Sequence, residues 1–400
     1  MDVAEKLINL DPIYQGKINE NGFQVAALNA SKSQLFLPSI DFNFGRYKDL
    51  ILVTNQEATF LRSSLDISYN LFNFGSDYNS FQASKYILSS YHAEIKSIKI
   101  EREKVIFKLL FDYISLKKQI EIFEQLKDLK LKVLKLSQKN YKLGRISKME
   151  LLKLDLDIAN TNSQIIDRKQ QLLDIYDQIN AFNSVKINIT SMHFPWGDIV
   201  SEKLIQNVAN FDINDLSVPS LEKLRFEKSA LEKDYISEKR KHFGRINLNY
   251  SRSYLENDDN DSFYAYSASV VYNLPIFEKF TRKQAVSKRK ALLVSKELEY
   301  RYEKNLLQSQ AQSMKKKLRF SFENFVNRNN LLEISQKLFK FSESEYRKGR
   351  LSANQLLVER NRLLDTTLLT ILASYNLHMD IVNTLHTFGK SVTDNLNYLY

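Results

Sequence analysis

The sequence predicts a mainly α protein with a small β part, laid out twice along 400 residues. Three observations carry that prediction. Between Gly75 and Gly144, and again between Pro275 and Gly349, there is neither Gly nor Pro, so each stretch can form one unbroken helix. Short segments of period-two apolar alternation precede each of these stretches. The chain also matches itself at a shift of about 205 residues, with all the matches in one order.

The matches fall where chance is least able to produce them. Pro12 answers to Pro219, Ile40-Asp41-Phe42-Asn43-Phe44 to Ile246-Asn247-Leu248-Asn249-Tyr250, and Tyr69-Asn70-Leu71 to Tyr272-Asn273-Leu274. Tyr141, Gly144, Arg145, Ser147, Leu151 and Leu152 answer to Tyr346, Gly349, Arg350, Ser352, Leu356 and Leu357. Coiled-coil sequences align at many shifts, so the matches at Gly, Pro and strand-like segments are the informative ones. The expected organisation is a first repeat over 1–186, a linker or equatorial segment over 187–218, a second repeat over 219–388 and a tail over 389–400. Each repeat holds a helix, a β-hairpin and two long helices. The linker carries Trp196 between Pro195 and Gly197. The tail lacks periodicity and is expected to be disordered or loosely packed.

In order along the chain, the first helix of each repeat is expected over roughly 13–36 and 219–242, before the first alternating segment. The alternating segments are Ile40, Phe42, Phe44; Leu65, Ile67, Tyr69, Leu71; Ile246, Leu248, Tyr250; and Tyr264, Tyr266, Ala268, Val270, Tyr272, Leu274. Their intervening residues are mostly polar, which predicts strands with one apolar and one polar face. Turns are expected near Thr54-Asn55-Gln56-Glu57 and in the acidic run Glu256-Asn257-Asp258-Asp259-Asn260-Asp261. The long helices follow, and some 60 residues at helical rise would reach roughly 90 Å. Leu109, Tyr113, Leu116, Ile120, Phe123, Leu126, Leu129, Val133 and Leu136 form a heptad-type seam on the first of them. Leu110, Ile114 and Ile122 widen that apolar face, as a helix with neighbours on two sides requires.

Composition narrows the function classes. The 25 Phe and 21 Tyr are too many for a disordered chain and call for burial or a membrane interface. The net charge of +11 arises from Lys and Arg interspersed with 47 acidic residues, the pattern of solvated helix faces rather than of a nucleic-acid footprint. There is no cysteine, so no disulfide, zinc-thiolate site, cysteine nucleophile or lipidated N-terminal Cys is expected in these 400 residues. The chain opens Met1-Asp2-Val3-Ala4-Glu5-Lys6 without a basic-then-apolar leader, and the expectation is a mature form from which an export signal has been removed, with a cytoplasmic protein as the alternative. No apolar run nears the roughly 20 residues of a membrane helix, so any membrane crossing falls to β-strands in a closed barrel.

The five histidines, His92, His193, His242, His378 and His386, lack metal-ligand spacing. No Gly-rich phosphate loop or nucleophile elbow is present. Glu101/Glu103 and Asp155/Asp157 are pairs two residues apart on helices and so face different ways. The expectation is therefore no catalytic residue, no cofactor and no metal.

The doubled order of elements, together with Leu37-Pro38-Ser39-Ile40 at the entry to the first strand, Leu274-Pro275-Ile276-Phe277 at the exit from the last, and the turns Tyr141-Lys142-Leu143-Gly144-Arg145-Ile146-Ser147 and Tyr346-Arg347-Lys348-Gly349-Arg350-Leu351-Ser352, resembles the TolC-like outer-membrane efflux protein family across nearly the whole chain. Four strands cannot close a barrel alone, and membrane barrels have about eight or more. The resemblance implies a homotrimer whose pooled strands make a 12-stranded β-barrel in outer-membrane lipid, continuing into an α-helical barrel in the periplasm. It implies an exit duct for efflux or type I secretion, docked to a periplasmic adaptor protein and an inner-membrane pump, with no nucleic acid involved. A soluble coiled-coil scaffold or adaptor is the competing reading, and a small soluble sheet packed on helices is its counterpart for the strands.

The resemblance also assigns residues. Gly144, Arg145, Ile146 and Ser147 with Gly349, Arg350, Leu351 and Ser352 would form the periplasmic tip and adaptor-docking turns. The bland reading of each Gly, a C-cap that reverses the chain, holds beside it. Family members often carry two acidic residues three positions apart just after the second turn; here those positions are Gln355 and Val358, and the nearest acid, Glu359, is rotated about 100° around the helix. A gate at Glu150, Gln355, Val358 and Glu359 would close by apolar constriction or by Glu150 pairing with Arg350 of a neighbouring hairpin.

Overall fold

The computed structural model describes residues 2–51, 56–144, 146–182, 218–257, 262–276, 280–348 and 350–395. Helices α1 (Asp2–Leu10) and α2 (Pro12–Phe36) lead to strands β1 (Ser39–Ile51) and β2 (Gln56–Phe72), then to α3 (Ser76–Lys142) and α4 (Lys148–Ala181). The order then recurs as α5 (Pro219–Arg240), β3 (Arg245–Asn257), β4 (Ser262–Asn273), α6 (Thr281–Arg347) and α7 (Ala353–Thr387), and a short α8 (Val392–Asn395) follows. The two longest helices, α3 and α6, are each 67 residues, as the absence of Gly and Pro predicts. Helix α1 lies ahead of the first helix that the sequence predicts. Of the expected turn residues, Gln56 and Glu57 begin β2 while Glu256 and Asn257 end β3; Thr54, Asn55, 258–261 and the linker residues 187–217, with Trp196, lie outside the described residues.

All four strands make one antiparallel sheet in the order β1-β2-β3-β4, so the two hairpins join through β2 and β3. Compactness divides the chain into two units, each drawing on both repeats. One comprises Met1–Lys17, Lys96–Val218 and Asn305–Tyr400; the other comprises Ile18–Ile95 and Pro219–Lys304.

The first unit is organised by a core of Leu7, Ile8, Ile106, Phe107, Leu110, Tyr113, Ile179, Leu318, Leu377, Ile381 and Leu385. On α3 the buried row continues through Ile120, Phe123, Leu126, Lys130, Val133 and Ser137. This corrects the expected seam at its far end, where Leu136 is 42% exposed and Leu129 only half-buried. Steps of four, three and four from Leu126 bring Lys130 inward. Its aliphatic stem lies along the seam, and its Nζ donates to Thr161 Oγ1 at 3.0 Å and lies 3.3 Å from Asp157 Oδ2 of α4. At the other end of this unit Asp11 caps α2, its Oδ1 accepting the Ile13 and Tyr14 N–H groups at 2.9 and 3.0 Å. Arg102 Nε donates to its other oxygen at 2.7 Å.

The described part of the tail, residues 389–395, departs from expectation, and 396–400 lie outside the described residues. Helix α7 closes with Gly389 N–H donating to His386 O and Lys390 N–H to Leu385 O, the two bonds of a Schellman end. Ser391 and Val392 are then buried, and the carboxylate of Glu103 accepts from Ser391 Oγ, Val392 N and Thr393 Oγ1. Apolar periodicity is absent there because polar bonds to one buried carboxylate hold the segment.

The second unit holds α2 from Ile18 onward, the sheet, the first part of α3, α5 and the first part of α6. Ser76 and Ser80 of α3 meet Ser237 of α5 through hydroxyl contacts of 3.0 and 2.8 Å, a close approach that small side chains permit. Tyr91 donates to Glu20 of α2 at 2.8 Å, and Lys223–Glu94 and Arg289–Asp234 tie the helices at 3.4 and 3.2 Å.

Candidate functional site

Register assigns every strand residue to a face, because directly paired residues project to the same side. One face carries the rows Tyr69–Leu248–Val270, Ile40–Ile67–Tyr250–Ala268, Phe42–Leu65–Arg252–Tyr266 and Phe44–Ser63–Tyr254–Tyr264. The other carries Ser39–Ser68–Asn249–Ser269, Asp41–Asp66–Ser251–Ser267 and Asn43–Ser64–Ser253–Ala265. The first face is apolar and open, with Phe42 70%, Phe44 67% and Val270 65% exposed.

The second face is a hydrogen-bonded polar surface. Asn43 Nδ2 and Ser64 Oγ donate to Asp66 Oδ2 at 2.8 and 2.9 Å, and Ser68 Oγ donates to Asn249 Oδ1 at 2.9 Å. A soluble sheet would turn these faces the other way, with apolar residues covered and polar ones in water. Strands β1 and β4 each pair on one side only, leaving two open edges.

Open apolar rows recur on the helices of the first unit. On α6, Leu331, Ile334, Leu338 and Phe341 step by three, four and three residues and are all exposed. On α4, Met149, Leu152, Leu156, Ile166 and Leu173 are exposed, three of them at heptad spacing. These are coiled-coil seams that no helix covers among the described residues. The buried seam of α3 is legible in the sequence and these two are not, since a single-chain pattern does not reveal which of several apolar stripes is covered.

At the hairpin ends, Gly144 takes φ +69°, a left-handed conformation that favours Gly, and its N–H donates to Tyr141 O at 2.9 Å. At the equivalent end of α6 the Arg350 N–H donates to Glu345 O at 2.9 Å, so the two turns present the short and the long bond of the same Schellman arrangement. Arg145 and Gly349 lie outside the described residues. Ser147 caps α4, its Oγ accepting the Glu150 N–H at 3.3 Å. Ser352 caps α7 in a full capping box, with Gln355 N–H donating to Ser352 Oγ at 3.2 Å and Ser352 N–H to Gln355 Oε1 at 3.0 Å. The signal for that role was present in the sequence as Ser352-Ala353-Asn354-Gln355.

Ile146 and Leu351 are half-buried beside these caps, and Glu150 is exposed. Val358 is 58% exposed. Glu359 is half-buried, with its Oε2 3.8 Å from Arg362. Arg350 lies 3.6 Å from Glu345, which also holds Lys348 at 2.9 Å. Within one chain no ion pair joins Glu150 to Arg350 among the described residues. The Arg360 guanidinium sits over the Phe339 ring at 5.1 Å, where burial lowers its pKa; burial likewise raises that of the Tyr346 hydroxyl. Among the described residues no His, Asp and Glu cluster is suited to a metal, and no helix is long and apolar enough to cross a membrane.

No protein-family model matches this sequence, and no curated protein does. Solved structures match the fold closely. The CmeC outer membrane channel of Campylobacter jejuni superposes with a TM-score of 0.82 at 12% identity, over 99% of this chain and 89% of that one. The outer membrane protein VceC of Vibrio cholerae gives 0.82 at 11%, over 98% and 96%. The MtrE outer membrane channel of Neisseria gonorrhoeae, in its open state, gives 0.76 at 13%, over 97% and 89%.

Proposed function

From a fold shared with the TolC-like outer-membrane channels, we propose that this chain is one protomer of a trimeric exit duct, set in the outer membrane and reaching into the periplasm. The observation that carries the reading is the sheet: an apolar face left open, a hydrogen-bonded polar face behind it and two unpaired edges. In a closed barrel the apolar face meets lipid, the polar face lines a wet lumen, and β4 of one copy pairs with β1 of the next. The exposed seams of α4 and α6 support the same assembly. Two different seams on one chain make a head-to-tail contact, and such contacts close into rings when the rotation permits.

The duct conducts passively, taking cargo from an inner-membrane pump through a periplasmic adaptor in efflux or type I secretion. The turns at Gly144–Ser147 and Gly349–Ser352 are the adaptor-facing tip, and Glu150, Gln355, Val358 and Glu359 surround the aperture. Because the Gln355 amide is engaged with Ser352, the exposed Val358 is the better candidate for an apolar constriction.

The test is assembly and conductance. The protein should be extracted only by detergent, run as a heat-resistant trimer with β-structure, and open discrete pores in planar bilayers. A monodisperse monomer, soluble without detergent, would return the soluble-scaffold reading to first place.

A further inference from the structure

Within the four rows described above for the apolar face one position is charged, while the next row toward the turns is Arg46–Leu61–Glu256. Arg252 of β3 is flanked in register by Leu65 and Tyr266, and its guanidinium lies 5.2 Å from the Tyr264 ring centre and 5.5 Å from that of Tyr266. Tyr254, two residues on, packs on Tyr264 at 5.2 Å. The carboxylate farther along this face, Glu256, is taken by the Tyr254 hydroxyl at 3.1 Å. Among the described residues Arg252 is therefore held by aromatic faces and no acid pairs with it. Cation–π contacts of this kind position a guanidinium while leaving its N–H donors at the ring edges available.

Resting on the channel reading above, we propose that Arg252, Tyr264 and Tyr266 form a binding site for the phosphate headgroup of an anionic lipid in the leaflet nearer the β3–β4 turn. Three arguments converge. A lipid-facing Arg is costly near the bilayer centre and tolerated near the interface. Arg252 lies one residue past the middle of β3, but its guanidinium leans toward the turn, over Tyr264, which pairs with Tyr254, and a long Arg side chain reaches the interface in this way. Its neighbours Tyr254, Tyr264 and Tyr266 are the aromatic residues that sit at headgroup level in membrane barrels. The planar guanidinium matches phosphate oxygens with paired N–H donors.

The test uses the full-length trimer in nanodiscs of dimyristoyl phosphatidylcholine, titrated with dimyristoyl phosphatidic acid and read by native mass spectrometry. Arg252→Gln should weaken phosphatidic acid binding roughly tenfold, as loss of one charge-assisted contact predicts, while Arg252→Lys should retain much of it and guards against a folding defect. Because the chain has no cysteine, Val270→Cys can carry a single fluorophore in the same discs, with brominated acyl chains as quencher. Quenching with equal phosphatidic acid binding by wild type and Arg252→Gln overturns the site and leaves the channel reading standing. An unquenched dye overturns both. Binding that falls equally for phosphatidylcholine overturns the preference for an anionic headgroup, and with it the site.

Discussion

Glu103 of α3, fully buried, accepts the backbone N–H of Val392 at 2.7 Å across 289 positions of sequence. Burial pushes its carboxyl pKa up, against the hydrogen bonds from Ser391, Thr393 and Val392, which pull it down. Glu103→Ala would strip three donors of their acceptor, at about 2–3 kcal/mol of local stability. Hydrogen exchange over residues 389–395 should rise sharply while the rest of the first unit keeps its protection. Unchanged exchange there would mean that Val392 packing alone holds the tail.

Gly144 and Gly16 should respond oppositely to alanine. A Cβ at either position meets nothing within 4 Å, so space decides neither outcome. Gly144 has φ +69°, and Gly144→Ala should cost about 1–2 kcal/mol through the left-handed backbone. Gly16 lies inside α2, where Gly16→Ala should stabilise by roughly 0.5–1 kcal/mol. Chemical unfolding of the two variants measures both signs.

Burial lowers the His386 pKa below the ordinary histidine value; Lys104 adds to the shift and Glu101 opposes it. The folded protein thus favours the neutral ring, and an unfolded chain takes up the proton first, near pH of about 6.5. The contribution of His386 is complete above that pH and is lost as pH falls toward the folded pKa. Thermal midpoints should drop on acidification through this window, and His386→Gln should flatten the drop.

Strand polarity gives a paired test. Val270 is on the apolar face and Ser269 on the polar one. Val270→Arg should cost about 2–4 kcal/mol if the site lies at mid-bilayer, whereas Ser269→Arg should cost far less. Equal losses of heat-resistant trimer at the two positions would argue for a soluble sheet.

At the tip, Arg350 already lies 3.6 Å from Glu345 in its own chain. A latch from Arg350 to Glu150 of a neighbouring hairpin would have to compete with that contact, and an exposed pair contributes only about 1 kcal/mol. Val358→Asp should therefore raise single-channel conductance more than Arg350→Glu does. The reverse ranking, with partial closure restored by adding Glu150→Arg, would establish the latch.

The repeated architecture was legible because each element leaves a local trace: missing Gly and Pro for the long helices, period two for the strands, Gly144 and Ser147 for a turn. Where the structure differs from the expectation, the deciding partner lies elsewhere in the chain. Lys130 is buried because Thr161 and Asp157 wait on α4, and residues 391–393 are ordered by a carboxylate at position 103. Arg252 interrupts the apolar face in a way that alternation alone did not flag, since the signal read was Ile246, Leu248 and Tyr250. The hairpin tips were legible as caps. Nothing in Glu150 or Val358 themselves says which neighbour they meet.

The sheet order β1-β2-β3-β4 contributes an even number of strands per chain, so its first and last strands point in opposite directions. Joining the last strand of one copy to the first of the next continues the antiparallel ladder however many copies take part. Backbone pairing is thus indifferent to whether three, four or five chains close the circle. In the proposed assembly stoichiometry would then be set by the angle at which the seam of α4 receives that of α6, and repacking at Leu156 or Phe341 is where a ring of altered size would arise.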